Sequence, residues 1–91
     1  MIKKVSLSIV MPARNEQHRI ITTIEKIRDY FDNYHRDNYE IIVVDDGSSD
    51  KTVEVLQQKL NLKVDKIVVL PKPSGPGVAV KNGVLHAKGE H

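Results

Sequence analysis

The sequence lacks cysteine, so it can form neither a disulfide framework nor a thiolate metal site. It also lacks a long apolar run, because no stretch approaches the roughly 20 residues that a helix needs to cross a bilayer. The first four residues are basic in character, but the apolar run after them is short and is broken by Ser6 and Ser8. That pattern matches neither a signal peptide nor a membrane span. A cytoplasmic location fits these absences.

An excess of charge of one sign is also missing. Lys and Arg total 14 against 12 Asp and Glu, which leaves a net charge of +2. That balance is too small to favour nucleic acid or an anionic membrane surface as the main partner. The four histidines, at positions 18, 35, 86 and 91, make no metal-ligand spacing with one another. We therefore expect no nucleic-acid partner.

Hydrophobic patterns predict three strands in this chain of 91 residues. Alternation over residues 5–11 predicts a strand that Pro12 ends. Residues 40–45 contain a continuous β-branched run, which predicts a strand covered on both faces, as in parallel sheets. Residues 66–70 form a third apolar strand.

Three helices are predicted between and after these strands. Helical spacing over residues 16–34 marks one buried face, made of Ile20, Ile24, Ile27, Phe31 and Tyr34. Residues 35–38 are polar and are predicted to be a loop. Ser49 or Asp50 can cap a second helix. The inward positions of this second helix are Val53, Leu56 and Leu60. A third helix is predicted over residues 78–88, where Gly89 ends it.

The alternation of strands and helices predicts the fold class. Short connections and right-handed crossovers place three parallel strands between helices, in a Rossmann-like three-layer α/β/α arrangement. Residues 1–91 are interpreted as a single domain and as the N-terminal piece of a larger fold, with a complete small domain as the alternative. Both edges of a three-stranded sheet would be exposed, so copies of the chain could pair through these edges and form homo-oligomers.

Three polar segments leave the carboxyl ends of the predicted strands, at residues 12–16, 45–50 and 71–77. Ligands bind outside this edge in open α/β sheets. Strand-end carboxylates can accept hydrogen bonds from a base or a ribose, and helix starts can meet phosphate. A binding site is therefore expected here. The alternative is that residues 46–50 are only a turn and a helix cap, and that Arg14 and Glu16 belong to a solvated first turn.

The third helix carries small residues at Ala79, Gly83 and Ala87, which predicts close packing on the sheet. Lys81 lies near the start of this helix, where it is either an anion contact or a solvated lysine. His86 is interpreted as a surface residue.

Three segments together resemble family-2 glycosyltransferases. Residues 7–16 are similar to the family's opening strand and loop, and residues 42–52 resemble its Asp-Asp-Gly-Ser loop. Residues 75–90 resemble its glycine-rich loop, helix and Gly-Glu ending. Order and spacing match as well, over almost the whole chain. Within the family, the dolichyl- and polyprenyl-phosphate sugar transferases look most similar.

The resemblance implies a GT-A fold and an inverting transfer from a nucleotide-diphosphate-sugar donor to a lipid-phosphate or glycan acceptor. It also implies Mg²⁺ or Mn²⁺ in the intact enzyme, and a parent protein associated with a membrane. Carried over residue by residue, the implied nucleotide-binding positions are Pro12, Ala13, Arg14, Glu16, Asp45, Asp46 and Lys81. The family's Asp-x-Asp metal motif and catalytic base lie beyond residue 91, so the chain is expected to be truncated before that motif. No catalytic or metal residue is implied within the chain, and we expect it to recognise the nucleotide without catalysing turnover.

Two positions depart from the family pattern. Arg14 stands where relatives often carry Tyr, and Pro76 stands between the glycines where Lys or Arg is usual. The rival hypothesis is a non-catalytic regulatory or receiver-like module, which the Asp45-Asp46 pair and Lys72 suggest. A third is an oligomerising structural piece. The receiver hypothesis lacks an isolated phospho-acceptor Asp after a later strand.

Overall fold

A computed structural model describes residues 7–33, 38–60 and 62–87, with strands and helices in strict alternation. The elements are β1 (Leu7–Ala13), α1 (Ile20–Asn33), β2 (Tyr39–Asp46), α2 (Thr52–Gln57), β3 (Lys66–Leu70) and α3 (Pro76–Leu85). The alternation predicted from the sequence is confirmed.

The three strands are parallel and lie in the order β1-β2-β3. All eight residues of the central strand β2 are buried, as its continuous apolar run predicts. In the register, Val44 of β2 lies beside Pro12 of β1 and Val68 of β3. The carboxyl ends of the strands therefore meet at one edge of the sheet.

Successive residues of β2 face opposite layers, because side chains alternate along a strand. Ile41 and Val43 pack in one cluster with Ile24 of α1 and Leu56 of α2. The residues between them, Ile42 and Val44, pack on the other face with Ala79 of α3. The molecule is thus the three-layer α/β/α arrangement expected from the sequence.

Small residues let α3 lie close to the sheet, as predicted. Ala79 is fully buried, and Ala87 packs against the same cluster. A Cβ added at Gly83 would lie 2.1 Å from Cγ1 of Val10 and 2.9 Å from Cγ2 of Val44. Any larger residue at this position would have to push the helix away from the sheet.

The first strand and helix differ from their predicted limits. Pro12 does not end β1, which continues to Ala13 with Pro12 opposite Val44. Since β1 is an edge strand of the described sheet, the N–H that proline lacks costs no ladder bond to a further strand. Helix α1 begins at Ile20, not at Glu16, although the Ile20 N–H already bonds the Glu16 carbonyl at 2.8 Å. The predicted start at residue 5, the inward Tyr34 and positions 35–37 of the loop lie outside the described residues.

The second and third helices also differ. Leu60 does not face inward: α2 ends at Gln57, and Leu60 lies beyond it, 39% exposed. Helix α3 begins at Pro76, two residues before the predicted start, because proline is favoured in a first helical turn. It ends at Leu85, and the predicted stop at Gly89 falls outside the described residues.

The opposite, amino edge of the sheet is held by Arg28 of α1. Its Nε donates to the Lys63 carbonyl at 2.8 Å and its Nη2 to Asp65 Oδ2 at 3.0 Å. The guanidinium also lies 5.1 Å from the ring centroid of Tyr39. The same Asp65 oxygen accepts the Ile41 N–H at 2.7 Å. These bonds fix the α2–β3 connection far from the carboxyl edge. Within the described ranges, no helix is long and apolar enough to span a membrane.

Candidate functional site

A cavity of about 310 Å³ opens at the carboxyl edge of the sheet. It is lined by Pro12, Ala13, Arg14, Glu16, Asp46, Gly75 and Pro76. These residues come from the three segments at the carboxyl ends of β1, β2 and β3. The volume lies at the lower end of the roughly 300–1,000 Å³ typical of small-molecule sites.

Five of the seven predicted site residues line this cavity: Pro12, Ala13, Arg14, Glu16 and Asp46. The other two do not. Asp45 is 1% exposed and turned away from the cavity, and Lys81 is exposed on α3 outside its lining. Contact of any of the seven with a nucleotide remains a prediction. Sequence reasoning did not include Gly75 and Pro76 among the site residues.

The Asp45 carboxylate is bonded within its own turn. Its Oδ2 accepts the Ser48 N–H at 3.0 Å, and its Oδ1 accepts the Ser48 hydroxyl at 2.5 Å. Such an Asx turn shapes the chain between β2 and α2. The geometry therefore gives Asp45 a local structural role.

The Asp46 carboxylate faces the opposite side of β2 and bonds a distant loop. Its Oδ1 accepts the Ser74 N–H at 2.7 Å, and its Oδ2 accepts the Gly75 N–H at 2.9 Å. Asp46 is only 5% exposed, so these two donors compensate the burial of its charge. Both carboxylates of the Asp-Asp pair are therefore engaged with the protein itself.

Gly47 lets the same loop approach the end of β2. Its φ is +71°, and an added Cβ would lie 2.5 Å from the Pro73 nitrogen and 2.7 Å from the Lys72 carbonyl carbon. Only glycine combines this backbone conformation with so close an approach. The sequence signal for it was the Asp-Gly turn, but the partner loop was not predictable from that turn.

The two charged residues of the first loop differ in their partners. Glu16 pairs with Arg19, with its two oxygens 2.8 Å from Nε and 3.0 Å from Nη2. Arg14 is exposed, and no hydrogen bond or salt bridge engages it within the part of the chain that the structure describes. Its guanidinium is the charged group of the cavity lining that is left available to an anionic or hydrogen-bond-accepting ligand.

Asn15 joins the first loop to the second, a role that the sequence analysis missed. Its φ is +55°, in the left-handed region that asparagine tolerates. Its Oδ1 accepts the N–H groups of Ser49 at 2.8 Å and Asp50 at 3.3 Å, and its own N–H donates to Ser48 Oγ at 2.9 Å. This side chain therefore sets the spacing between the first two loops.

A second set of bonds ties the start of α1 to the start of α2. The Glu16 N–H donates to Thr52 Oγ1 at 2.9 Å, and the Lys51 N–H donates to Gln17 Oε1 at 2.9 Å. Asp50 Oδ1 accepts the Thr52 N–H at 2.9 Å. The N-cap of α2 is nevertheless Lys51, without a side-chain cap bond, and not Ser49 or Asp50 as predicted, because the helix begins only at Thr52. Desolvation opposes ionisation of Asp50, but hydrogen bonds from Thr52 and from the Gln17 N–H outweigh it and lower the pKa of this carboxyl.

The described residues contain no group of three or more His, Asp, Glu or Cys side chains placed to hold a metal ion. Glu16 and Asp46, the carboxylates that line the cavity, are already bonded to the protein, Glu16 to Arg19 and Asp46 to the backbone N–H groups of Ser74 and Gly75. The described residues therefore do not fit a cation site.

Comparison with known proteins adds a decisive observation. The family model described as glycosyl transferase family 2 matches residues 8–91. The chain belongs to glycosyl transferase family 2. This family-2 glycosyltransferase chain carries its cavity at the edge where open α/β sheets bind ligands.

Two relatives are similar to the family-2 chain over nearly its whole length. It is 32% identical over 95 residues to dolichyl-phosphate beta-glucosyltransferase of Saccharomyces cerevisiae, covering 98% of this chain. It is 34% identical over 91 residues to the Mus musculus protein of the same name, covering 92% of this chain. In both cases the family-2 chain spans 28% of the relative's length.

A solved structure agrees with the fold. S. aureus TarS in complex with UDP-GlcNAc matches with a TM-score of 0.73 and 26% identity. The match covers 94% of this chain and 24% of that chain. The three parallel strands with helices on both faces are thus those of a Rossmann-like GT-A glycosyltransferase fold.

Proposed function

We propose that the intact protein is an inverting glycosyltransferase that moves a sugar from a nucleotide-diphosphate-sugar donor to a lipid-phosphate or glycan acceptor. The observation that carries the proposal is the cavity at the carboxyl edge, lined by the loops that resemble the family's donor-binding loops. Its presence in a family-2 chain supports a nucleotide as the ligand.

Within that reaction, this chain contributes nucleotide recognition and no catalysis. The transfer breaks the bond between the anomeric carbon and the diphosphate oxygen and forms a bond from the acceptor oxygen to that carbon. A carboxylate base takes the acceptor's proton, and the nucleoside diphosphate leaves. In the proposal the chain's own part is to hold the base and ribose along residues 12–16 and beside Asp46.

A lipid phosphate is the favoured acceptor. Relatives from yeast and mouse are named dolichyl-phosphate beta-glucosyltransferases, and both share about a third of this chain's residues. A lipid acceptor requires access to a membrane. We therefore also propose that the intact protein is cytoplasmic and that it associates with a membrane.

A divalent cation, Mg²⁺ or Mn²⁺, belongs to the proposal only as a property of the intact enzyme. The described residues do not fit such an ion, since the carboxylates that line the cavity, Glu16 and Asp46, are already bonded to the protein. Its ligands would have to come from outside these residues. The receiver-like alternative is set aside, because the chain belongs to a glycosyltransferase family.

The first test is a calorimetric titration of the intact protein with UDP and GDP, with and without Mn²⁺. Saturable binding of one nucleotide is expected, and the preferred base would identify the donor class. The matched variants are Arg14→Ala, which removes the available cation of the cavity, and Lys26→Ala, which removes an exposed cation of α1 outside the cavity lining. We expect weaker binding for R14A and near wild-type binding for K26A. Absence of binding by the wild-type protein at millimolar nucleotide would contradict the proposal.

A transfer assay tests whether residues 1–91 recognise the nucleotide without catalysing sugar transfer. The intact protein should incorporate sugar from its preferred donor into a polyprenyl-phosphate acceptor, whereas residues 1–91 alone should not. Incorporation by residues 1–91 alone would contradict the assignment of nucleotide recognition only.

A further inference from the structure

The loop between β1 and α1, residues 14–19, supplies one wall of the cavity through Arg14 and Glu16. The residue between these two, Asn15, is not part of the lining. Its backbone lies in the left-handed region, with a φ of +55°. Because Asn15 separates two lining residues, its conformation sets the direction in which each neighbouring side chain leaves the backbone.

The loop between β2 and α2, residues 47–51, holds Asn15 in place. The side-chain Oδ1 of Asn15 accepts the Ser49 N–H at 2.8 Å, the Asp50 N–H at 3.3 Å and the Ser49 hydroxyl at 3.3 Å. Its own backbone N–H donates to Ser48 Oγ at 2.9 Å. Asn15 is therefore anchored through both its backbone and its side chain.

Arg14, by contrast, is exposed and has no hydrogen bond or salt bridge with any other residue that the structure describes. A long side chain of this kind loses rotamer freedom when a ligand orders it, and that loss opposes binding. The anchored backbone of Asn15 limits the region that the Arg14 guanidinium can reach, which reduces the loss.

From these contacts we infer that Asn15 is a positioning residue, which holds Arg14 at the cavity wall and thereby raises the affinity for the nucleotide. The inference rests on the proposed function, because it needs a nucleotide in the cavity. It assigns to Asn15 no contact with the nucleotide.

Two variants separate positioning from direct contact. A direct contact would have to come from Nδ2 of Asn15, because an amide oxygen has two lone pairs and Oδ1 already accepts three hydrogen bonds. Asn15→Asp removes the Nδ2 donor and keeps an oxygen for the backbone N–H groups. Asn15→Gly removes both, while glycine still adopts the positive φ. Positioning therefore predicts that N15D binds better than N15G, and direct contact predicts equal losses.

The experiment measures UDP and GDP affinities of the intact protein by calorimetry, for the wild type, N15G, N15D, R14A and the double variant R14A/N15G. Ser49→Ala is the matched control, because it removes only the hydroxyl 3.3 Å from Asn15 and leaves the backbone N–H. Arg28→Ala controls for lost stability, because it breaks bonds at the amino edge of the sheet, away from the cavity.

We expect N15G to lose about five-fold in affinity for both nucleotides, on the scale of ordering one long side chain. N15D should lose less, and S49A and R28A should match the wild type. The double variant should bind about as weakly as R14A alone, since Asn15 acts through Arg14. Without any ligand, amide hydrogen exchange at Ser49 and Asp50 should be faster in N15G, which reports the anchor independently of binding.

Five outcomes would overturn the inference: wild-type affinity in N15G, equal losses in N15D and N15G, independent losses in the double variant, an R28A loss as large as that of N15G, or unchanged amide exchange in N15G. If N15G does not fold, N15D decides alone, because affinity near the wild type supports positioning and a loss matching R14A contradicts it.

Each of these outcomes leaves the proposed function standing, because the wild-type protein still binds. If the wild-type protein binds neither nucleotide, the proposed function fails, and the role of Asn15 in binding fails with it.

Discussion

At the scale of single residues, Asn15 links the first loop to the second by hydrogen bonds. Its side-chain oxygen accepts hydrogen bonds from the backbone of Ser49 and Asp50, which lie about 34 positions further along the chain. Its positive φ suits asparagine better than alanine. One residue therefore provides both the backbone turn and the cross-link.

Replacing Asn15 by alanine should destabilise the protein by about 2 kcal/mol, because two backbone donors lose their acceptor and the left-handed backbone is strained. Urea unfolding followed by circular dichroism measures the change. Asn15→Asp is the control, since it keeps an acceptor oxygen and tolerates the same φ, and it should lose less. Equal losses in both variants would show that the acceptor oxygen does not matter.

Asp50 predicts a pH dependence of stability. Its folded-state pKa is lowered from an ordinary value of 3.8, chiefly by hydrogen bonds from Thr52 and Gln17 that overcome desolvation. A depressed carboxyl pKa adds stability above the ordinary value, and this is lost as the pH falls through the folded value. The stability difference between wild type and Asp50→Asn should therefore be larger at pH 6 than at pH 3. Urea titrations at the two values measure it, and a constant difference would contradict the assignment.

At the scale of elements, the fit of α3 to the sheet depends on one glycine. Gly83 lies against Val10 and Val44, whereas nothing lies within 4 Å of a Cβ added at Gly77 on the same helix. Both positions are helical, so alanine would improve helix propensity at either of them. Alanine at Gly77 therefore changes helix propensity alone, whereas alanine at Gly83 also changes the packing of α3 on the sheet.

Gly83→Ala should destabilise the protein by about 1–3 kcal/mol, because the added methyl group overpacks the contact with β1 and β2. Gly77→Ala should be neutral or stabilising by about 0.5 kcal/mol, since it gains propensity without a clash. Thermal unfolding of both variants gives the comparison. A stabilised G83A variant would mean that the helix can shift outward at little cost.

The elements were largely predictable, and their exceptions have physical causes. The β-branched run of β2 predicted a strand buried on both faces, because only a covered strand buries every residue of such a run. Pro12 was expected to end β1, but the strand continues through it. Because β1 is an edge strand of the described sheet, the N–H that proline lacks removes no hydrogen bond to a further strand. Leu60 was expected inside α2, but that helix stops at Gln57, so helical spacing no longer applies to it.

At the scale of the whole molecule, β1 and β3 are the outer strands of the described sheet, and Val69 on β3 is 52% exposed. Unpaired strand edges favour pairing between copies. We therefore expect the 91-residue chain by itself to self-associate.

Val69→Lys should shift that association toward monomer, since a charge on an edge strand opposes strand pairing. Light scattering coupled to size-exclusion chromatography measures the mass. Val84→Lys, on the exposed face of α3, is the control, and it should leave the association unchanged. A larger effect of V84K than of V69K would place the contact on the helix instead.

The sequence by itself determined the alternation of strands and helices, the burial of β2 and the three segments that meet at the carboxyl edge. Local periodicity and turn chemistry suffice for these, because each depends on neighbouring residues. Only the tertiary structure decided that Asp46 bonds the loop 28 positions away while Asp45 bonds its own turn. The reason is that adjacent strand residues face opposite layers, so Asp46 lies on the face of β2 that packs against α3, and Asp45 lies on the other face.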